Sequence, residues 1–95
     1  MNFDGQALTV AISGRLDTTN AQKFSTEVLS QLKDVKTVVF ECANLEYVSS
    51  AGLRVFIQVK KEMNKNKGDV IIKNLSDQIR EVFRMTGFYD IFKIE

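Results

Sequence analysis

Histidine is absent from the 95 residues of this chain, and cysteine occurs only once. The lack of histidine removes the commonest general base, the commonest metal ligand and every Ser-His or Cys-His catalytic pair. The single Cys42 excludes a disulfide within the chain, and its place in the run TVVFEC is typical of a small buried hydrophobic side chain. The sequence also shows no glycine-rich phosphate loop and no metal-ligand cluster. We therefore expect a protein that is not an enzyme and holds no cofactor or metal.

The chain also has no large excess of positive or negative charge and no long apolar run. Thirteen basic and twelve acidic residues give a net charge of +1, which supplies no broad field to attract nucleic acid or an anionic membrane. No stretch approaches the ~18 apolar residues of a membrane span, and the opening residues MNFDGQALTV lack a basic segment before an apolar run. We expect a cytoplasmic protein that binds neither nucleic acid nor membrane.

The patterns that are present predict strands separated by helical segments. LTVAIS (8–13) alternates as a strand does, and the Asp-Gly step before it favours a hairpin with the short arm NF. TVVFEC (37–42) is apolar and β-branched, which is typical of a central parallel strand covered on both faces. DVIIKNL (69–75) predicts another strand, and the tail YDIFKIE is either a last edge strand or a segment packed onto the domain.

Three helices are predicted between these strands. The first is capped by Asp17, Thr18 or Thr19 and runs to about residue 33; the second runs from about 50 to 66 and is stopped by Gly68. The third follows Ser76 and is stopped by Gly87. Strands alternating with helices predict an α/β fold, a single domain of residues 1–95 with a small mixed, mostly parallel sheet flanked by helices.

The second predicted helix has residues that could contact a partner protein as well as residues that face the sheet. At about 100° per residue its tightest apolar stripe should face the sheet, and that stripe consists of Gly52, Val55, Phe56, Val59 and Met63. Leu53 and Ile57 lie beside the stripe. They either widen the buried face or form a docking patch for a partner.

Two serines stand where this helix begins, and each has two interpretations. A serine at a helix start usually accepts a hydrogen bond from the amides one turn further on. One cap needs only one hydroxyl, however, and an exposed serine at a helix N-terminus is well placed to carry a phosphate, which the backbone amides and the helix dipole stabilise. Ser49 and Ser50 are therefore candidates both for a cap and for a modification site.

Three segments, together with a short pattern inside one of them, resemble the STAS domain, especially the stand-alone bacterial anti-sigma factor antagonists. They are ISGRLDTTNA, TVVFECANLEYVSSAGLRVF with its central Ser-x-Gly-Leu pattern, and the downstream GDVIIKNLSDQIREVFRMTGFYDIFKI, which cover essentially the whole chain. The resemblance implies the STAS fold and a partner-switching mechanism. An anti-sigma factor that is also a serine kinase phosphorylates the antagonist, the unmodified antagonist binds that anti-sigma factor and frees sigma factor, and a PP2C-type phosphatase restores the unmodified form.

The resemblance also implies which residues are involved. The phosphorylated serine corresponds to Ser50, and Ser49 is the second choice, because many family members carry aspartate at that preceding position. ATP belongs to the partner kinase, so no cofactor and no small-molecule substrate are expected for this chain. The expected partner surface comprises Arg15, Asp17, Thr18, Ser49, Ser50, Gly52, Leu53, Arg54 and Ile57.

Two other functions stay open at this stage. The first keeps the fold but makes the chain an accessory STAS subunit of a signalling assembly or of a lipid or anion transport complex. The second is an enzyme using paired carboxylates such as Asp77 and Glu81. Their i, i+4 spacing on the third predicted helix is more typical of a solvated face than of an acid/base pair.

Overall fold

The computed structural model describes all residues from 1 to 95. In chain order the elements are β1 (Asn2–Asp4), β2 (Ala7–Leu16), α1 (Ala21–Leu29), β3 (Thr37–Val48), α2 (Ser50–Lys65), β4 (Asp69–Lys73), α3 (Asp77–Met85), a single 3-10 turn (Phe88–Asp90) and β5 (Lys93–Ile94). None of the helices is both long enough and apolar enough to cross a membrane.

The five strands form one mixed sheet in the order β1-β2-β3-β4-β5. The hairpin predicted at Asp4-Gly5 is confirmed, because β1 pairs antiparallel with β2 and Gly5 takes a left-handed φ of 61°. The other neighbouring strands pair in parallel, and the C-terminal tail supplies β5 as the last edge strand. The α/β fold with a small, mostly parallel sheet is therefore confirmed.

All three helices cover the same face of this sheet, and the expectation that β3 is covered on both faces is wrong. Val38, Phe40 and Cys42 are buried, whereas Thr37, Val39 and Glu41, which alternate with them, are only partly buried. The reason is topological. The parallel strands follow one another across the sheet in sequence order, and right-handed crossovers that always step in one direction place every helix on one face.

Phe56 of α2 lies at the centre of the core. Its ring makes edge-on contacts with Phe40 of β3 and Phe83 of α3, with centroids 4.9 and 5.3 Å apart. The rings of Phe88 and Phe92 lie 6.5 and 6.4 Å away. This cluster holds α2 against the sheet, α3 and the C-terminal segment at once. Cys42 is buried beside it, and burial raises the pKa of its thiol to about 12, so the predicted role as a buried hydrophobic side chain is confirmed.

The first helix differs from its prediction at both ends. It ends at Leu29 rather than near residue 33, and the Ser30 hydroxyl at that end donates to the Glu27 carbonyl at 2.7 Å. Its N-cap is Asn20, with no side-chain capping bond, so none of Asp17, Thr18 and Thr19 is the cap. The Asn20 side chain is engaged in the preceding loop instead.

The second helix ends where predicted, but Gly68 is not the left-handed residue at its end. Lys67, not Gly68, takes the left-handed conformation, with a φ of 56°. The Gly68 N–H donates to the Met63 carbonyl at 2.8 Å, which satisfies one of the last helical carbonyls. A Cβ on Gly68 would lie 2.6 Å from the Lys36 carbonyl oxygen, so glycine is required there for close approach.

The predicted boundaries of α3 are confirmed, because Ser76 caps the helix and Gly87 follows it with a φ of 79°.

Candidate functional site

Two bulges in β3 determine where α2 begins. Between Ala11 and Ser13, and again between Gly14 and Arg15, β3 advances one residue more than β2 does. Burial in this part of β3 therefore recurs at every third residue, at Cys42, Leu45 and Val48. Val48 ends the strand inside the core, and the chain turns directly into the helix.

Ser49 is the cap of α2, and Ser50 is its first residue. The Ser49 hydroxyl accepts a hydrogen bond from the Gly52 N–H at 3.2 Å, and the Ser49 N–H donates to the Leu16 carbonyl at 3.0 Å. Ser49 is partly buried by these contacts. Ser50 is exposed, and its hydroxyl forms no hydrogen bond with another group of the protein. Ser49 therefore takes the capping role, and the Ser50 hydroxyl is left without a partner in the protein.

Gly52 brings the start of α2 against the ends of β2 and β3. A Cβ at this position would lie 2.5 Å from the Leu16 carbonyl oxygen and 2.8 Å from a methyl carbon of Val48. The Leu16 carbonyl also accepts the Ser49 N–H, so it cannot move away without loss of that bond. Any larger residue would displace the segment that presents Ser50.

We predict that Gly52→Ala destabilises the domain although alanine favours helices. The helix propensity of alanine contributes about 1 kcal/mol in its favour, but forced overpacking costs up to ~3 kcal/mol. The expected net loss in the free energy of unfolding is about 2 kcal/mol, measured by urea denaturation. Asn64→Ala, at an exposed position of the same helix, is the control and should be neutral or slightly stabilising. An equal or higher stability of Gly52→Ala would contradict the close approach.

The apolar stripe predicted for α2 is confirmed, since Gly52, Val55, Phe56, Val59 and Met63 are its buried residues. Leu53 and Ile57 are partly buried and pack against the core, which agrees with the interpretation that they widen the buried face. Their remaining exposed surface lies beside the helix start. Arg54 is exposed.

Arg15 and Asp17 form a small polar network at the junction of β2 and α1. The Arg15 guanidinium lies 4.2 Å from the centroid of the Tyr47 ring, and its Nε lies 3.3 Å from Asp17 Oδ2. The Thr19 hydroxyl and N–H donate to the Asp17 carboxylate at 2.6 and 3.0 Å, which holds the pKa of Asp17 below its usual value. The Asn20 amide ties the loop together by donating to the Arg15 carbonyl at 2.8 Å.

Tyr47 was not among the site residues predicted from the sequence. Arg15 and Tyr47 are register partners in the parallel pair of β2 and β3, and they meet only because of the second bulge. The available signal was a tyrosine two residues before the first of the two serines. Without the register, however, nothing in the sequence joins it to a residue that lies 32 positions earlier in the chain.

A cleft of about 220 Å³ lies between α1 and α2, and Ala51 in the first turn of α2 lines it. Two predicted site residues, Thr18 and Arg54, line it together with Gln22 and Gln58. Its floor contains Ser25, a buried polar side chain that donates to Gln58 Oε1 at 2.6 Å. Arg15 lines a different cleft, between β2 and α1. The structure thus brings Thr18 and Arg54 together at one cleft and places Arg15 in another.

The groups around the start of α2 are suited to contact with another protein. No group of three or more histidine, cysteine, aspartate or glutamate side chains lies close enough to hold a metal ion. What the site offers is a free hydroxyl, exposed arginine and tyrosine side chains and partly buried apolar groups. These are the features of a surface that another protein contacts.

Comparison with known proteins agrees with this geometry. The family model of the STAS domain matches residues 1–95. BtrV of Bordetella bronchiseptica, which is named as an anti-sigma factor antagonist, is 34% identical over 97% of this chain and 79% of its own length. The anti-sigma-B factor antagonist of Listeria monocytogenes is 25% identical over 97% of this chain and 82% of its own length.

Solved structures show the same fold. The anti-sigma factor antagonist SpoIIAA in its unphosphorylated form superimposes with a TM-score of 0.87 at 18% identity, over 100% of this chain and 84% of that one. The Bacillus cell fate determinant SpoIIAA in the phosphorylated form gives a TM-score of 0.79 at 18% identity, over 100% of this chain and 87% of that one. The chain therefore belongs to the STAS domain family, among the anti-sigma factor antagonists.

Proposed function

We propose that this protein is an anti-sigma factor antagonist whose binding to a kinase-type anti-sigma factor is switched off by phosphorylation of Ser50. The unmodified chain binds the anti-sigma factor through the surface around the start of α2 and thereby releases sigma factor. The observation that carries this proposal is the exposed, unbonded hydroxyl of Ser50 beside a helix cap that Ser49 already provides.

The modification itself requires nothing of this chain beyond an accessible hydroxyl. A bond forms between Ser50 Oγ and the γ-phosphorus of ATP, the bond to the β-phosphate oxygen breaks, and ADP leaves. The hydroxyl proton passes to a base of the kinase or to water. In this proposal the partner supplies ATP and the catalytic groups, a PP2C-type phosphatase later hydrolyses the phosphoester, and the switch operates in the cytoplasm.

The physical basis of the switch is that the phosphate affects the partner far more than the fold. At the first position of α2 it lies next to backbone amides and the positive end of the helix dipole, which stabilise negative charge. A partner packed against the exposed parts of Leu53 and Ile57 would have to desolvate about two negative charges. The phosphorylated and unphosphorylated forms named for SpoIIAA, a protein of the same fold, support the extension to this chain.

Mass spectrometry after incubation with the anti-sigma factor of the source organism and ATP tests the assignment. We expect one phosphate, on Ser50, in the parent protein and none in the Ser50→Ala variant. Ser49→Ala is the matched control, since it removes the neighbouring hydroxyl and its cap but should still be phosphorylated. Phosphate on Ser50→Ala, or its loss from Ser49→Ala with Ser50 intact, would refute Ser50 as the site.

A further inference from the structure

We propose that the guanidinium of Arg54 pairs with the phosphate monoester on Ser50 and thus forms part of the phosphorylated site. The inference deepens the proposed function and rests on it for its biological relevance. Neither the helix start nor Arg54 suffices by itself. The pairing follows from their spacing, their exposure and the engagement of the neighbouring charged groups.

The spacing places the two side chains on one helix face. Ser50 and Arg54 are four residues apart on α2, and both are exposed. Residues at this spacing have Cβ atoms about 5–6 Å apart, and an acidic group N-terminal to a basic one is the favourable order. Helical side chains also lean toward the N-terminus, so a long arginine at position 54 covers the turn that contains Ser50.

Arg54 has no other anionic partner in the unmodified protein. It takes part in none of the ion pairs, which join Arg15 to Asp17, Lys65 to Glu62, Lys73 to Glu95, Arg84 to Glu81 and Lys93 to Asp69. Arg15 is the other arginine near this end of the sheet, but it is already stacked on Tyr47 and paired with Asp17. Arg54 is therefore available to a new anion without breaking an existing contact.

The first turn of α2 contains no acidic side chain, whereas the first turn of α3 contains Asp77. A phosphate on Ser50 thus meets no repelling carboxylate within its own turn. The charged groups on the elements beside it are Arg15 and Asp17, which neutralise each other, Lys23 and Glu27 of α1, and two glutamates of β3. These glutamates are Glu46 and Glu41, and Glu41 accepts hydrogen bonds from the Asn74 side chain. Arg54 is the cation on the phosphate's own helix face.

The pair has a consequence for the switch. An arginine one turn away favours the dianion over the monoanion, so the phosphate keeps its second negative charge at lower pH than an isolated phosphoserine does. The same contact draws the positive charge of Arg54 away from the cleft that it lines with Thr18. Phosphorylation therefore adds negative charge to the surface that the partner covers and also engages a cation of that surface.

Phosphorus NMR tests the pair on protein in which phosphoserine is incorporated at position 50 during translation, so that no kinase is needed. We expect the second pKa of this phosphate to be about 0.4 unit higher in Arg54→Gln than in the parent protein, which corresponds to an i, i+4 ion pair. Arg84→Gln, which removes an arginine from α3, is the matched control and should leave the midpoint unchanged. The difference should also shrink at 1 M salt.

Coincident midpoints for the parent protein and Arg54→Gln would overturn the inference, as would an equal shift in Arg84→Gln. Each variant's circular dichroism spectrum, recorded at every pH of the titration, ensures that the midpoint comes from folded protein. The outcome is separate from that of the proposed function. Failure of the kinase to modify Ser50 would refute the function but leave this titration intact, and coincident midpoints would refute only the role of Arg54.

Discussion

Replacing Ser50 with aspartate is expected to weaken binding of the anti-sigma factor by about 30- to 1,000-fold while leaving thermal stability nearly unchanged. Burying at an interface a charge that the partner protein leaves unpaired costs about 2–4 kcal/mol, which corresponds to that loss in affinity. The fold should tolerate the change because Ser50 is exposed and a carboxylate in the first helical turn is favourable. Isothermal titration calorimetry measures the affinity, and a thermal melt measures the stability.

A matched control for this variant is Gln78→Glu, which adds the same charge at an exposed position in the first turn of α3. It should alter neither affinity nor stability by more than about 0.5 kcal/mol. If both variants lost affinity equally, the effect would come from net charge rather than from the surface around Ser50. A melting temperature of Ser50→Asp many degrees below that of the parent protein would show that Ser50 has a structural role instead.

Phe56→Ala should cause the largest loss of stability of any single change considered for this protein. The ring is fully buried and contacts Phe40, Phe83 and their neighbours, so truncation leaves a cavity that several elements share. Large-to-alanine changes at such sites cost about 3–5 kcal/mol. For a domain of this size the melting temperature should fall by roughly 15–30 °C, as measured by differential scanning calorimetry.

Phe3→Ala provides the comparison for that experiment, because it removes the same side chain from an edge strand where 55% of the residue is exposed. Its cost should stay below about 1 kcal/mol. Similar losses in the two variants would mean that α2 is not fixed by the aromatic cluster. This matters for function, since the helix that contains Phe56 also presents Ser50 and Arg54, and its anchoring determines where they stand.

The buried stripe of α2 shows what local patterns can predict. An amphipathic helix of 16 residues repeats its apolar face often enough that each buried position follows from periodicity. The boundaries of α1 show the opposite case. Short polar residues at its two ends can bond to the backbone in several ways, and which of them caps or stops a helix depends on contacts outside the segment.

The sequence indicated candidate residues at the start of α2 but not how they are arranged. The pattern of two serines before Ala-Gly-Leu predicted a cap and a modification site, but it could not show which serine is the cap. That assignment depends on the residue at which β3 ends, and β3 ends at Val48 because two bulges add residues to it relative to β2. Bulges arise from pairing between distant strands and have no local signal here.

By itself the sequence determined the alternation of strands and helices, the hairpin, the buried face of α2 and the absence of histidine chemistry. These features follow from composition and from the spacing of apolar residues within single helices and strands. Only the tertiary structure decided that one face of the sheet stays open, that Arg15 stacks on Tyr47, and that Ser49 caps the helix while Ser50 stays free. Each of these depends on the direction of a crossover or on the register of two strands, which segments far apart in the chain establish only when they pack together.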